Sequence, residues 1–310
     1  MTLPSTLHQP LDPPARQLMA AFRFVLVAPS HAGNIGSVVR AMMTMGLDDL
    51  VVVKPKEADF ANHPQARALA SGARELLARA RRAASLQEAV ADCQLVVAVS
   101  ANPREFGPSP RTPAEIAGLA LQELHQGSVQ KVALVFGTER TGLSIHEMAL
   151  CQQMVSIPAD PDYSSLNLSQ AAQIIAFSLR QQVMLSQAQP GVPSAAAGVE
   201  GEAAARETYA DHAAIERLHT HVEQALVAIG YLDPAEPKRL MPRLRRLCAR
   251  TRLEVSEVDL LRGICKQMEK LAASAAAGAA GAAGAAGASG APVTPVTPVT
   301  PGCPVAGSDV

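Results

Sequence analysis

The sequence predicts an α/β fold with a parallel sheet, followed by a small all-α domain. Short β-branched runs alternate with helical stretches through the first part of the chain. These runs are apolar on both faces, as expected for parallel strands that helices cover on each side of a sheet. A stretch rich in Pro, Gly and small residues then interrupts the alternation, and the segment after it has helical periodicity without a strand signal.

Five apolar runs are the predicted strands of this sheet. They are FRFVLVA (22–28), LVVVK (50–54), LVVAV (95–99), VALVF (132–136) and MVSIP (154–158). The segments NIGSVVRAMMTMG, ALASGARELLARARRA and TPAEIAGLALQELH repeat apolar residues at helical spacings and are predicted helices. A further long helix is predicted from about Leu166 to Ser186. Functional loops are expected at the carboxyl ends of the strands.

Composition divides the chain into five segments. They are a disordered leader (1–20), an α/β domain (21–187), a flexible linker (188–208), a helical domain (209–271) and a low-complexity tail (272–310). The Ala/Gly and Pro-Val-Thr repeats of the tail cannot bury enough apolar surface to fold alone.

Charge and cysteine content exclude several classes of protein. The formal net charge is -1, so a nucleic-acid partner would need a local basic patch. The five cysteines are scattered without a Cys-x-x-Cys pair, which argues against a disulfide framework and against a metal site. No apolar run approaches the ~20 residues of a membrane span, and prolines interrupt the N-terminal segment. We expect a cytoplasmic protein without a membrane partner.

The first predicted loop, APSHAGNIGSVVRAM, follows the first strand. Asn34 is suited to cap the helix that begins there, and Gly36 allows that helix to approach a neighbouring backbone. Arg40 lies within two turns of the cap and could point toward the strand-end cleft. An ordinary capped helix with a solvated arginine explains the same residues. The Gly-x-Gly-x-x-Gly spacing of a dinucleotide site is absent from the loop.

The second predicted loop, LVFGTERTGLS (134–144), is close to the phosphate-binding pattern Gly-x4-Gly-Lys-Ser/Thr. Leu143 stands where that pattern requires lysine, and the carboxylate of Glu139 would repel a polyphosphate. Gly137 and Gly142 still allow a close approach of the backbone. The loop favours a ligand with a ribose, an adenine and a cation, or else is a turn between strand and helix without a ligand.

The third predicted loop, IPADPDYSSLNLSQA, leads into the long helix. Ser164, Ser165 and Asn167 are small hydrogen-bonding residues that lower helix propensity unless they cap the helix or bind a ligand. One serine acting as a plain N-cap explains a single residue of this set. It does not explain Asn167.

In this order, the three loops resemble the SPOUT superfamily of methyltransferases, specifically its SpoU (TrmH-type) branch of RNA ribose 2'-O-methyltransferases. The matching residues are Asn34, Gly36 and Arg40, then LVFGTERTGLS, then IPADPDYSSLNLSQA. Within this branch, DPDYSSLNL followed by a linker and a helical domain is most similar to bacterial enzymes that methylate cytidine or uridine 32 in the tRNA anticodon loop.

The resemblance implies a sheet whose C-terminal portion is tied in a trefoil knot, and S-adenosyl-L-methionine as the cofactor. It also implies cofactor contacts from the segment VSANPREF (99–106) and from the second and third loops. The expected contacts are Val99, Ser100, Ala101, Gly137, Glu139, Gly142, Leu143, Ile157, Ser164, Ser165 and Leu166.

The implied reaction transfers a methyl group in line from a positively charged sulfur to a ribose 2'-oxygen, which must lose its proton and be aligned. The resemblance places Arg40 at the hydroxyl, with Asn34, Ser165 and Asn167 in support. Free arginine stays protonated to beyond pH ~12, which conflicts with a role as general base. Arg40 could equally hold the adjacent phosphate and stabilise an oxyanion.

The stretch KRLMPRLRRLCARTR (238–252) is the most basic in the chain. On a helix it would present an apolar stripe of Leu240, Leu244 and Leu247 and a cationic stripe of Arg243, Arg246 and Arg250. The cationic stripe suits RNA phosphates, or is a solvated face. The following helix begins with a Ser256/Asp259 pair and is expected to pack the small domain through Leu260, Ile264 and Met268.

The resemblance implies tRNA and a second copy of the chain as partners, because this branch generally works as homodimers. Ribosomal RNA is the alternative substrate, since the three loops concern the cofactor and the ribose. A noncatalytic RNA-binding relative is a further alternative, although it would be expected to lack Arg40 or Asn167. A nucleotide-dependent oxidoreductase or NTPase lacks support, because the glycine fingerprint and the loop lysine are both missing.

Overall fold

The computed structural model describes residues 10–102, 107–188 and 208–287 of the 310-residue chain. The strands are β1 (Phe22–Val27), β2 (Asp49–Val53), β3 (Arg81–Ala83), β4 (Leu95–Val99), β5 (Pro110–Arg111), β6 (Val132–Phe136) and β7 (Gln153–Val155). The helices are α1 (Pro13–Ala20), α2 (Ala32–Met45), α3 (Pro64–Ala70), α4 (Arg74–Arg79), α5 (Leu86–Val90), α6 (Pro113–Gln126), α7 (Ile145–Ala149), α8 (Leu168–Ala188), α9 (His212–Ala228), α10 (Leu240–Thr251) and α11 (Val255–Gly287).

The seven strands form one sheet in the order β3-β2-β1-β6-β4-β7-β5, and each pair of neighbours is parallel. This confirms the predicted parallel α/β fold, and each of the five predicted runs overlaps a strand. The register aligns Val99 of β4 with Phe136 of β6 and with Val155 of β7. The carboxyl ends of these strands therefore meet at one edge of the sheet.

Alternate side chains of each strand enter different cores. Phe24 and Leu26 belong to the larger cluster, under α1, α2, α3, α6 and α8. Val25 and Val27 point to the opposite face and pack with Val90 of α5 and the side chains around α7. Helices cover both faces, which is why the strands are apolar without a polar alternation.

The predicted helix ALASGARELLARARRA is interrupted. It forms the end of α3, a 3-10 turn at Ser71–Ala73, α4 and then the edge strand β3. Ser71 has a left-handed backbone with φ of +52°, which an α-helix cannot accommodate. Residues Arg81–Ala83 pair with Val51–Val53 of β2, and this pairing overrides their helical periodicity.

The expectation of a disordered leader through residue 20 is wrong for its second half, while residues 1–9 lie outside the described part. The Asp12 side chain caps α1 by accepting a hydrogen bond from the Ala15 N–H at 2.8 Å, and Pro13 occupies the first helical turn. Ala15 and Met19 are fully buried in the larger core. The helix forms because this apolar face has a place to pack.

Helices α9 and α11 form a separate small core. Its buried members are Ala210, Leu218 and Val258. On α11 the predicted stripe of Leu260, Ile264 and Met268 does not make this core, since Leu260 is 63% and Ile264 51% exposed. The buried face lies about a third of a turn away, at Val258, Leu261 and Cys265.

The apolar stripe predicted for α10 is also only partly packed. Leu240 and Leu244 are half-buried, whereas Leu247 is 50% exposed. Arg245 lies on the inner side instead, where its Nη1 is 2.5 Å from Glu216 Oε1. Charged residues thus replace part of the expected apolar contact between α9 and α10.

The predicted low-complexity tail begins inside a helix, because α11 continues to Gly287. Alanine has the highest helix propensity, and extending an existing helix avoids the cost of nucleation. The composition predicts a segment without its own core, but it does not prevent one helix from continuing. Residues 288–310 of the tail, and 189–207 of the linker, lie outside the described residues.

The helical domain rests on the α/β domain around α5. The N–H groups of His212 and Ala213 donate to the carbonyls of Cys93 and Ala91 at 2.9 and 3.0 Å. Tyr209 N–H donates to the Ser128 carbonyl at 3.1 Å. Main-chain hydrogen bonds therefore connect the two domains directly.

We expect Gly36→Ala to destabilise the protein by about 1–3 kcal/mol, as overpacking usually does. A methyl group at Gly36 would lie 2.1 Å from the Ala66 carbonyl oxygen, so α2 and α3 would have to separate. Urea unfolding followed by circular dichroism measures the change. Gly118→Ala is the matched control, because its methyl group would meet no atom within 4 Å. It should stabilise α6 by roughly 0.5–1 kcal/mol. Equal effects of the two substitutions would contradict the close packing at Gly36.

Candidate functional site

The three predicted loops meet at the carboxyl edge of the sheet. The first follows β1, the second follows β6 and the third follows β7. The Ser100 N–H, just after β4, donates to the Val155 carbonyl of β7 at 3.1 Å. Of the segment 99–106, residues 103–106 lie outside the described residues. The sheet thus brings the predicted site segments to one place.

The Glu139 carboxylate connects the second loop to the first. One carboxylate oxygen accepts from the N–H and the hydroxyl of Ser30, both at 2.8 Å. The other accepts from the His31 N–H at 3.3 Å and from the Asn34 side-chain amide at 2.9 Å. Glu139 therefore satisfies backbone N–H groups at the start of α2, where a negative charge is favourable.

The prediction that Asn34 caps α2 is wrong. The N-cap position is His31, whose side chain makes no capping hydrogen bond, and Asn34 lies within the first turn. Glu139, from another loop, accepts hydrogen bonds at the start of the helix, and the Asn34 side chain donates one of them.

Hydrogen bonding controls the charge of Glu139. Burial alone would raise its pKa, but hydrogen bonds from Asn34 and from Ser30 lower the pKa to about 2. The carboxylate is therefore ionised at neutral pH. Its charge is balanced by donors inside the protein, and the cofactor contact expected of this residue stays a prediction.

Asn167 extends this connection to the third loop. Its Nδ2 donates to Asn34 Oδ1 at 3.3 Å. Its Oδ1 accepts from the N–H and the hydroxyl of Ser169 at 2.9 and 2.7 Å, which caps α8. Asn167, and neither Ser164 nor Ser165, thus begins the long helix. A polar chain of Glu139, Asn34 and Asn167 joins all three loops.

The second loop closes on itself through backbone contacts. Thr138 and Gly142 exchange two main-chain hydrogen bonds of 3.0 and 3.2 Å. A side chain at Gly137 would lie 2.2 Å from the Gly142 carbonyl carbon, and Gly142 has a φ of +65°. Both glycines are therefore required by the loop geometry. Leu143 is 1% exposed in the core, so only its backbone could meet a ligand at this position.

Arg40 lies on the exposed side of α2, six residues or ~9 Å along the helix from Asn34. Asn34, Ser37 and Arg40 follow one another at intervals of three along this side. Within the described residues, the Arg40 side chain makes no hydrogen bond or ion pair with Asn34, Asn167 or Glu139. Arg40 is therefore an exposed residue of the same helix as Asn34, and its role at the site stays a prediction.

The other predicted site residues line the same edge with graded exposure. Val99, Ser100, Ile157 and Ser164 are half-buried, whereas Ala101, Ser165 and Leu166 are exposed. Their contacts with a cofactor stay a prediction.

Ser30 and His31 are site residues that the sequence does not single out. Their backbone N–H groups receive Glu139, and a backbone donor has no signature in residue type. The one available signal is their position, directly after the Ala28-Pro29 break that ends the first strand.

Across residues 10–102, 107–188 and 208–287, no group of three or more His, Cys, Asp or Glu side chains could hold a metal ion. None of the helices in this part of the chain has the length and apolar character needed to cross a membrane.

Comparison with known families gives two matches along the chain. Residues 21–177 match the SpoU rRNA methylase family, and residues 213–277 match the C-terminal domain of tRNA methyltransferase TrmJ. The tRNA (cytidine/uridine-2'-O-)-methyltransferase TrmJ of Klebsiella pneumoniae is 41% identical over 253 residues, which is 82% of this chain and 98% of the relative. The tRNA (cytidine/uridine/adenosine-2'-O-)-methyltransferase TrmJ of Pseudomonas aeruginosa is 38% identical over 255 residues, or 82% of this chain and 96% of the relative.

Solved structures share the fold. TrmJ from Z. mobilis ZM4 has a TM-score of 0.66 at 30% identity and covers 81% of this chain and 100% of its own. A probable methyltransferase from Bordetella pertussis has a TM-score of 0.52 at 43% identity, over 54% of this chain and 99% of its own. The parallel α/β fold is therefore one that methyltransferase structures share.

We expect Glu139→Gln to lower the free energy of unfolding by roughly 1–3 kcal/mol, the range for hydrogen bonds to a charged group. The Gln amide nitrogen would face donors at Ser30 or Asn34 and leave one unpaired. Chemical unfolding of both proteins at neutral pH measures the difference. Glu57→Gln removes an exposed carboxylate of the same domain and is the control.

The stability difference should also depend on pH. Since folding lowers the Glu139 pKa from 4.5 to about 2, its contribution is complete above the unfolded pKa. It is then lost as the pH falls through the folded pKa. The difference between wild type and Glu139→Gln should be constant above about pH 5 and shrink between 4.5 and about 2. A difference independent of pH across this window would show that the carboxylate charge is not involved.

Proposed function

This chain belongs to the SpoU rRNA methylase family, and we propose that it transfers a methyl group from S-adenosylmethionine to a ribose 2'-hydroxyl of tRNA. The observation that carries the proposal is the polar chain of Glu139, Asn34 and Asn167, which fixes three loops at one edge of the sheet. The names of the two relatives, both tRNA 2'-O-methyltransferases of cytidine and uridine, support the same reaction.

The sheet edge suits S-adenosylmethionine. Gly137 has no room for a side chain, so a ligand beside it meets backbone polar groups. The loop has buried Leu143 where a phosphate site has lysine, which favours a cofactor without phosphate. When bound, this cofactor supplies an electrophilic methyl group on a positively charged sulfur. The residues proposed to hold it are Val99, Ser100, Ala101, Gly137, Glu139, Gly142, Leu143, Ile157, Ser164, Ser165 and Leu166.

Arg40, Asn34, Ser165 and Asn167 are the proposed groups at the ribose. Arg40 is exposed and positively charged, so it can bind the neighbouring phosphate and stabilise negative charge on the 2'-oxygen. We favour this role over general base, because guanidinium stays protonated at neutral pH. The side chains of Asn34 and Asn167 are hydrogen-bonded to each other. They are therefore already in place to orient the substrate when it binds.

The proposed substrate position is cytidine or uridine 32 of the anticodon loop, in the cytoplasm. The TrmJ C-terminal domain match at residues 213–277 supports tRNA as the RNA. The exposed arginines of α10 support a phosphate contact by this domain. Arg243 and Arg250 are exposed. Arg246 is partly buried, and this burial together with the charge of Arg250 lowers its pKa.

The experiment that tests this function combines purified protein, S-adenosylmethionine and unmodified tRNA transcripts. Digestion and mass spectrometry then quantify 2'-O-methylated nucleosides and map their position. A methyl group on the ribose of nucleotide 32 is the expected result. Methylation of ribosomal RNA alone would favour that substrate. Cofactor binding with no methylation of either RNA would favour a noncatalytic RNA-binding protein.

The proposal also includes the trefoil knot. Strand β7 lies between β4 and β5, which both precede it and are connected through residues 100–109. Of this connection, residues 100–102 and 107–109 are described. Single-molecule pulling from both ends should give an unfolded length shorter than that of the full chain, because a tightened knot remains. A full contour length would refute the knot.

We expect Arg40→Ala to abolish methyl transfer while cofactor binding is retained. Arg40 extends from the exposed side of α2 and not from the loops proposed to hold the cofactor. Loss of one transition-state contact of this kind typically lowers kcat by about 100-fold or more. Isothermal calorimetry with S-adenosylmethionine and a tritium transfer assay separate binding from transfer. If the variant no longer binds cofactor, the proposed place of Arg40 is wrong.

We expect Arg243→Ala and Arg250→Ala each to weaken tRNA binding. Each should also reduce the slope of log affinity against log salt concentration by about one, the value for one lost phosphate contact. Filter binding over a series of salt concentrations measures both quantities. Arg79→Ala is the matched control, because Arg79 is exposed at the other edge of the sheet. The α10 proposal fails if the control loses as much affinity as the two variants.

A second copy of the chain is the proposed partner at α2 and α8. These helices run side by side in one direction, since Asn34 meets Asn167 at their starts and Arg180 donates to the Met45 carbonyl further along. Met43 and Phe177 are 54% and 51% exposed on this pair. A homodimer would cover them and bring the partner's surface close to Arg40.

We expect Phe177→Glu to convert the homodimer into monomers, because the interface would have to bury a charge. Sedimentation velocity reports the oligomeric state. Leu69→Glu on α3, where the leucine is 41% exposed, is the control and should leave the dimer intact. Monomeric wild type, or a dimer unaffected by Phe177→Glu, would contradict the proposed interface.

A further inference from the structure

A buried ion pair joins the helical domain to the α/β domain. Arg252, directly after α10, donates from Nη1 to both carboxylate oxygens of Glu123 on α6, at 2.6 and 2.8 Å. The two side chains are only 7% and 10% exposed. A pair shielded to this degree depends on both partners, because either charge alone would be buried without compensation.

Tyr209 completes the contact. The Arg252 guanidinium lies over its ring at 4.4 Å from the centroid. The Tyr209 N–H bonds to Ser128, close to Glu123, while the neighbouring Ala210 N–H bonds to the Leu253 carbonyl at 2.9 Å. The start of the helical domain, the end of α10 and the end of α6 therefore meet around one guanidinium group.

The backbone of Arg252 gives an independent reason to assign a role to its side chain. Arg252 is the C-cap of α10, with a left-handed φ of +57°. Glycine is the usual residue in this conformation because a side chain makes it unfavourable. The helix end alone would thus be better served by glycine. The ion pair with Glu123 and the contact with Tyr209 explain why arginine occupies the position.

We propose that Arg252 is a positioning residue, which fixes the helical domain on the α/β domain and so sets the place of the α10 arginines relative to the methyl-transfer site. The consequence of this role for RNA binding rests on the proposed function. Arg243 and Arg250 are then effective because they are presented at a fixed position on the molecule. The main-chain hydrogen bonds of Tyr209, His212 and Ala213 hold the start of the helical domain, and the ion pair adds a contact at the end of α10.

The rival explanation is that Arg252 contacts RNA directly, like the other arginines of the basic stretch. Substitution of Glu123 distinguishes the two explanations. Removing its negative charge should leave RNA binding unchanged or improve it if only charge matters. If the ion pair positions the helical domain, Glu123→Ala should weaken RNA binding as Arg252 substitutions do.

The test uses the full chain with Arg252→Gly, Glu123→Ala and the double variant. Arg252→Gly removes the side chain while relieving the left-handed backbone, so helix-end strain cannot explain a loss. Hydrogen exchange read by mass spectrometry follows the amides of Tyr209, His212 and Ala213, which bond across the domain boundary. Filter binding measures tRNA affinity, and calorimetry measures cofactor affinity.

Each single variant should raise exchange at the three boundary amides and raise the Kd for tRNA about tenfold, which corresponds to ~1.4 kcal/mol. Cofactor affinity and exchange in the sheet should not change. The double variant should be no worse than either single variant, since both act through one contact. Two controls are Glu75→Ala, with no expected effect, and Arg243→Ala, which should weaken RNA binding without faster boundary exchange.

Normal boundary exchange in Glu123→Ala and Arg252→Gly would overturn the proposal. Unchanged tRNA affinity in Glu123→Ala, with a loss in Arg252→Gly, would also overturn it in favour of direct RNA contact. If wild type methylates no RNA, that result counts against the proposed function. The boundary exchange of the variants still decides whether Arg252 holds the domains together.

Discussion

Hydrogen bonds to the Glu139 carboxylate are the interaction on which the candidate site depends. The group must lose water to lie between the β1 and β6 loops, and this loss alone would favour its neutral form. Donors from Ser30, His31 and Asn34 replace the lost water. Asn34 then has its oxygen directed at Asn167, so one charge orients an amide in each of two other loops. The geometry of the site is thereby established within the protein, before any ligand contributes binding energy.

The sheet was predictable where strands are strongly apolar. Each of β1, β2, β4, β6 and β7 lies in a run of aliphatic or β-branched residues that helices bury on both faces. The short strands β3 and β5 contain Arg and Pro, and they become strands only through pairing with β2 and β7. For the helices, the predicted buried face was wrong where periodicity was the sole guide. On α11 two apolar stripes exist, and the tertiary contact with α9 selected the one that includes Val258.

The site was predictable as a set of loops and only partly as a set of contacts. The residue types indicated that Asn34, Glu139 and Asn167 matter, and the parallel sheet brought them together. Their pairing was not predictable, because Asn34 is a good local cap and nothing in the local sequence shows a distant carboxylate at the same helix end. The roles assigned to Arg40 and to the cofactor residues come from family resemblance, since an exposed arginine has no local signature of its function.

The stacking of Arg252 on Tyr209 has an optical consequence. The chain contains no tryptophan and three tyrosines, of which Tyr163 and Tyr231 are 82% and 70% exposed. Near-ultraviolet circular dichroism arises from aromatic rings held in fixed asymmetric surroundings and disappears when packing is lost. We therefore expect the ring of Tyr209, held against a guanidinium at the junction of two domains, to dominate the tyrosine band. The protein contains its own spectroscopic reporter of the junction, with no stronger chromophore to obscure it.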